Sequence, residues 1–334
     1  MQQTARKYGL VAWLVLLTGM VIFLAVRQSQ IRQTSVNPAP VLPTPSPDLM
    51  RSQSEAGQTV RALVLPESLT FAGERVPLED PDVRERLDRE LHVNTFFHSN
   101  TIFLIKRANR WLPEIEEILA EEGIPSDFKY LAVIESDLLN KVSPAQAVGF
   151  WQLLKGTAKE RGLVVDRDVD ERYNPLKATR AACDYLLQAH ERFGNWTNAA
   201  ASYNIGQYGL DKRLEDQKVE SYYDLLLNEE TSRYMLRLLA IKLVLENPEQ
   251  YGFFLEDDQL YTPEDLTTVA VTEDIDDLVT WAKDRGVTYK TLKRYNPWLR
   301  SRTLDARRDG EPWEIALPAS AHEPLPTSDS LSSD

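Results

Sequence analysis

A single cysteine, Cys183, in a chain of 334 residues excludes an internal disulfide framework and a zinc site built from thiolates. The four histidines, His92, His98, His190 and His322, show no metal-ligand spacing such as HExxH and read as surface or packing residues. Neither a P-loop pattern nor GxGxxG occurs, so a nucleotide cofactor has no support, and neither a cofactor nor a metal is expected. A basic excess is also missing. The formal net charge is −13, which argues against nucleic acid as a partner. Any anionic polymer must then be held by shape and hydrogen bonds rather than by bulk attraction.

What the chain does have is apolar content, 43% of residues, enough for one sizeable domain and a smaller one. The organising stretch is Phe128–Thr157, FKYLAVIESDLLNKVSPAQAVGFWQLLKGT. Phe128, Leu131, Ala132 and Glu135 fall at i, i+3, i+4 and i+7, the stripe of an amphipathic helix. Tyr130, Val133 and Ile134 fill most of the remaining surface, so the helix is predicted to be central. Glu135 stands where the pattern asks for a hydrophobe. A carboxyl group among apolar side chains, near the negative end of a helix dipole, holds its proton to higher pH, as a general acid must. Asp137 lies about 200° round the helix and is not expected to be its partner.

At the N-terminus, Gly9–Val26 is 18 residues without a charge, just long enough to cross a bilayer, and Arg6 and Lys7 precede it. This predicts an uncleaved transmembrane anchor over residues 1–26, with the short N-terminus in the cytoplasm and the rest exported. A cleaved signal peptide is the competing reading. It would end in small residues of the A-x-A kind, whereas Ala25-Val26-Arg27-Gln28 follows here. Residues 27–59, with Pro38, Pro40, Pro43, Pro45 and Pro47, read as an extended tether.

Residues 60–252 are predicted to be α-helical. Helices are expected around Arg84–Leu91, Thr101–Arg110, Leu112–Glu122, Phe128–Glu135 and Phe150–Arg161. Others should run from Asn174-Pro175 to Gly194, over Thr197–Tyr203 to a break at Gly206, and over Thr231–Glu246. Residues 265–318 change character. Thr267–Thr272 and Trp313–Leu317 alternate like strands around two short helices, Ile275–Asp284 and Thr288–Tyr295, a small β-α-α-β unit. Residues 319–334 are rich in Ser, Pro and Asp and are expected to be disordered.

Several blocks in order carry a family resemblance: Glu135-Ser136, Ser143-Pro144-Ala145, Gly149-Phe150-Trp151-Gln152, and Thr157-Ala158. Asn174-Pro175, Phe193-Gly194-Asn195-Trp196, Ala201-Ser202-Tyr203-Asn204 and Glu230-Thr231-Ser232-Arg233-Tyr234 follow. Over Leu91–Tyr251, about half the chain, this resembles the catalytic domain of membrane-bound lytic murein transglycosylases of the D type, glycoside hydrolase family 23. The resemblance implies a mainly α, goose-type-lysozyme-like fold. It also implies cleavage of the MurNAc–GlcNAc β-1,4 bond of peptidoglycan glycan strands, with a 1,6-anhydro-MurNAc end as product. By the same resemblance Glu135 is the catalytic acid, and Ser136, Gly149, Gln152, Tyr203, Asn204 and Tyr234 meet the substrate. The location that follows is the inner membrane, with the catalytic domain in the periplasm.

The chain departs from the family pattern in places. Ser202 replaces the usual Ala before Tyr203-Asn204, and aromatics occupy the Gly149–Gln152 block. The C-terminal unit resembles a LysM peptidoglycan-binding module through Val287-Thr288, Leu292 and Asn296-Pro297. It lacks that module's Gly-Asp-Thr opening and has Thr272-Glu273-Asp274 instead. The lipoprotein cysteine common in the D type is absent, and the anchor helix takes its place.

A hydrolase normally uses a second carboxylate, and no second acid is embedded in an apolar run between Leu112 and Glu246. A transglycosylase needs only one. A hydrolytic muramidase remains the alternative within the same chemistry. A catalytically silent glycan-binding scaffold is the alternative outside it, against which the intact Glu135 and its surrounding blocks argue.

Overall fold

The computed structural model describes residues 61–321. The anchor expected at Gly9–Val26, the proline-rich linker and the tail beyond residue 321 lie outside these residues. Among the described residues no helix is long and apolar enough to cross a membrane.

A short antiparallel hairpin, β1 (Thr70–Phe71) and β2 (Glu74–Arg75), precedes the helices. Helix α1 (Pro81–Phe96) starts where Asp80 accepts hydrogen bonds from the Asp82 and Val83 amides, with proline in the first turn. The carboxylate of Glu74 does a similar service at a distance. It accepts from the Trp196 and Thr197 amides and the Thr197 hydroxyl at the start of another helix.

Helix α2 (His98–Glu121) joins two segments that the sequence reading separates at Leu112. It runs through Pro113, which forfeits one amide donor. The stripe of Leu104, Ile105, Ala108, Ile115, Ile118 and Leu119 stays buried along one face, and that burial outweighs the lost bond.

Helix α3 (Lys129–Ser136) is short and ends abruptly, because Asp137 and Leu138 both take left-handed backbone, with φ of 55° and 56°. Arginines from two other helices meet its last carbonyls: Arg237 donates to Ile134 O at 3.0 Å and Arg107 to Asp137 O at 2.7 Å.

The helix expected over Phe150–Arg161 is a correction. Only α4 (Lys155–Glu160) forms. Gly149 and Gln152 sit at φ of 84° and 46°, and Val148 and Leu153 exchange amide–carbonyl bonds of 3.1 Å. Residues 143–153 therefore fold as a tight loop, with φ outside the helical region at Gln146, Gly149 and Gln152.

Helix α5 (Pro175–Phe193) is capped by Asn174 and closed by Gly194, and α6 (Trp196–Ile205) is capped by Asn195. Helix α7 (Gln207–Gln217), which the sequence reading left unassigned, follows Gly206. Helix α8 (Glu229–Glu246), capped by Asn228, packs against α1, α3 and α6. Ala199, Ala200 and Ala201 are wholly buried on α6, and their small side chains let neighbouring helices approach.

The C-terminal residues form β3 (Leu266–Val271), α9 (Leu278–Asp284), α10 (Tyr289–Tyr295) and β4 (Trp313–Pro318). The strands pair antiparallel from Leu266 opposite Pro318 to Val271 opposite Trp313. Asn296 is buried beneath them and both gives to and takes from the Ala316 backbone, at 2.7 and 2.8 Å. A separate hydrophobic cluster builds this unit, and one of its members, Val169, comes from the helical part of the chain.

Candidate active site

Glu135 lies in the last turn of α3, partly buried, where the apolar stripe places it. Tyr234, on α8 and only 2% exposed, donates its hydroxyl to Oε1 of Glu135 at 2.5 Å. Burial pushes the Glu135 carboxyl above the usual carboxylate range, and the charge of Glu230 adds to this. The Tyr234 hydrogen bond and the Arg237 guanidinium oppose the rise without cancelling it. The phenols of Tyr203 and Tyr234 are held well above their ordinary range, by burial first and by the charge of Glu135 second. Both therefore act as neutral hydrogen-bond donors.

Tyr203, on α6, donates to the Trp151 carbonyl at 2.8 Å. Its ring meets Tyr185 edge-on at 5.3 Å and Trp151 at 6.3 Å. Trp151 is itself wholly buried, with its indole N–H on the Thr179 hydroxyl at 2.8 Å. A groove of about 350 Å³ brings Gln152, Tyr203 and Asn204 together, with Tyr185, Leu154 and Ile205 beside them. Glu135 is not among the residues that line this groove, though its charge helps to hold the Tyr203 phenol up. Helix α6 closes at Gly206, so Asn204 is not the residue that caps it.

The amide hydrogens of Gln152 go to the carbonyls of Gly149 and Lys141, at 2.8 and 3.1 Å. That leaves the amide oxygen as the group Gln152 can offer a ligand. Ser136 does not reach the groove. It is 1% exposed, and its hydroxyl lies between the Ala132 and Phe150 carbonyls at 3.1 and 2.9 Å, tying α3 to the loop. Gly149 is backed by the Arg172 carbonyl, which would lie 2.0 Å from a Cβ there. Asp137 turns away from Glu135 and pairs with Lys141. Cys183 is buried in the main core.

The sequence reading missed Glu230, Arg237 and Tyr185. Glu230 lies four residues before Tyr234 on α8, hence on the same helix face, and that spacing is a signal the sequence did contain. Tyr185 falls on the same stripe of α5 as the buried Ala182, Leu186 and Ala189, and nothing local marks Arg237. Among the described residues no group of three or more His, Cys, Asp or Glu side chains is arranged to hold a metal ion.

Residues 114–225 match the family model of the transglycosylase SLT domain, and residues 267–321 match that of the soluble lytic transglycosylase C-terminal LysM-like domain. The chain is also 25% identical over 248 residues to the membrane-bound lytic murein transglycosylase D of Escherichia coli (strain K12), covering 71% of this chain and 53% of that protein. The same figures, 25% over 248 residues, 71% and 53%, hold for the protein of that name from Escherichia coli O6:H1 (strain CFT073). The chain thus spans about half the length of the curated relatives it matches.

Proposed function

We propose, with the match to the transglycosylase SLT domain as premise, that this protein cleaves the MurNAc–GlcNAc β-1,4 bond of peptidoglycan without water and leaves a 1,6-anhydro-MurNAc end. The observation that carries the reading is the Glu135 carboxyl. It is shielded at the end of α3 and hydrogen-bonded through one oxygen to Tyr234.

In this reading protonated Glu135 gives its hydrogen to the glycosidic oxygen as the bond from C1 to that oxygen breaks. The N-acetyl group of the sugar stabilises the cation left at C1. Glu135, now a carboxylate, takes the proton of the C6 hydroxyl as O6 closes on C1. One residue is acid and then base, and its raised affinity for protons suits the first step at neutral pH. Tyr234 steadies the carboxylate between the two steps. Gln152, Tyr203 and Asn204 orient the ring, and Ser136 and Gly149 shape the loop that carries Gln152. The relatives' names call them membrane-bound, which supports a membrane-associated enzyme; in this reading Gly9–Val26 is the anchor and the catalytic part lies in the periplasm.

Glu230 favours one second reading. It is exposed, on the same face of α8 as Tyr234, and its charge acts on Glu135. A carboxylate so placed is the candidate base for water in a muramidase. Digestion in heavy-oxygen water divides the two. Unlabelled MurNAc ends, one water lighter than reducing ends, are expected. Stoichiometric label would make the enzyme a hydrolase.

A further inference from the structure

We propose that Arg172 is a positioning residue for the active-site loop and that the C-terminal unit holds it in place. The inference rests on the reading of Glu135 and Gln152 given above, and it deepens that reading by assigning the small unit a part in catalysis.

Arg172 is 7% exposed, and its whole guanidinium is engaged. Nε and Nη2 donate to the two oxygens of Asp170, at 2.9 and 2.8 Å. Nη1 spans the loop, donating to the carbonyls of Gln146 and Leu153, each at 3.1 Å. The Arg172 carbonyl lies against Gly149, leaving no space for a side chain. The loop it holds has left-handed backbone at Gln146, Gly149 and Gln152, so it needs support from outside itself. The opposite side of the loop faces the reaction. There the Phe150 carbonyl accepts from Ser136, next to Glu135, and the Trp151 carbonyl accepts from Tyr203.

The C-terminal unit grips the segment that carries this clamp. The Asp170 amide donates to Trp298 O at 2.9 Å, and the Arg300 amide donates to Asp168 O at 2.7 Å. Val169, 3% exposed, bridges to Leu299 and is part of the small unit's core. The Arg300 guanidinium lies 4.2 Å from the ring centre of Tyr173. The route from the unit to Gln152 is therefore short: Trp298 to Asp170, Asp170 to Arg172, Arg172 to Leu153. Arginine is required at its centre, because a lysine cannot hold a carboxylate with two bonds and reach two loop carbonyls as well.

The test uses the full chain with Arg172→Lys, Val169→Thr and the double variant, each assayed on soluble glycan fragments and by hydrogen exchange. Loosening a loop at the reacting centre should lower kcat about tenfold or more in Arg172→Lys, since misplacements of about 1 Å cost up to ~10²-fold. KM should move less than about threefold, because all the polar contacts of Arg172 are to the protein itself and none is offered to a ligand. Val169→Thr should give a smaller loss of the same kind, with faster exchange at the Gly149 and Leu153 amides. The double variant should be no slower than Arg172→Lys alone, because the two changes act along one route. Effects that multiply in the double variant would overturn the proposal. So would unchanged exchange at Gly149 and Leu153 in Val169→Thr. Should Val169→Thr unfold the small unit, Val169→Ala takes its place with the same expected outcome. Exchange needs no turnover, so this arm stands even if the reaction proves to be a different one.

Discussion

Tyr234 donates its hydroxyl to Oε1 of Glu135 across 2.5 Å, joining side chains 99 residues apart on α8 and α3. The bond occupies one carboxyl oxygen and leaves Oε2 as the oxygen that can carry a proton. It also sets the direction in which the carboxyl group faces. The acidity of Glu135 is thus a balance between burial, which favours the proton, and Tyr234 with Arg237, which favour the charge.

Glu135→Gln should keep the fold and cost at least ~10²–10⁴ in turnover, the range for one acid–base group. Turnover within tenfold of the parent would remove Glu135 from its role. The same substitution should affect stability in a pH-dependent way. The carboxyl is raised above its ordinary 4.5 in the folded state, so the stability it contributes is complete below that value and fades as pH rises through the folded pKa. Glutamine does not titrate. The variant's melting temperature should therefore gain on the parent as pH increases from about 4.5. A difference independent of pH, measured by calorimetry, would contradict the raised affinity.

Tyr234→Phe removes a hydrogen bond that favours ionised Glu135. The high-pH limb of kcat/KM, where the acid form is lost, should move to higher pH while the maximum rate falls. A pH–rate profile reads both at once. A limb moving to lower pH would mean that Tyr234 stabilises the protonated form instead.

Glu230→Gln should act in the opposite sense. Its charge raises the proton affinity of Glu135, so neutralising it should move the same limb to lower pH and leave the product an anhydro sugar. An abolished rate with an unmoved limb would instead point to a base at position 230, and to water as nucleophile.

Gly149→Ala places a Cβ 2.0 Å from the Arg172 carbonyl at a φ of 84°. A left-handed backbone alone costs about 1–3 kcal/mol for a residue with a side chain, and the contact with backbone adds to that. The urea unfolding midpoint should fall, and activity with it, since Gln152 is carried on the same loop. An unchanged midpoint would show that the loop relaxes more freely than its hydrogen bonds suggest.

Much of this protein was legible as local chemistry. The stripe of Phe128, Leu131 and Ala132 with Glu135 at its end identified both the buried helix and the residue on it that breaks the pattern. Asn174-Pro175 and Gly194 bounded α5, and the alternation of Thr267–Thr272 marked β3. Such signals act within a few residues of themselves: a cap bonds the next turn, and a stripe is set by helical period. The end of the loop after α3, residues 150–154, reads as helix in the sequence because its actual shape is imposed from outside. Arg172 supplies two of its bonds and a carbonyl that only glycine can meet, and Arg172 is in turn held through Asp170 by a unit more than a hundred residues along the chain. Ser136 stood beside Glu135 in sequence, yet its hydroxyl faces the Phe150 carbonyl. The sequence by itself determined which carboxyl group interrupts the apolar stripe and where most of the helices run. The tertiary structure alone decided what that acid touches and what shapes the loop beside it, because those partners come from elements with no local link to it.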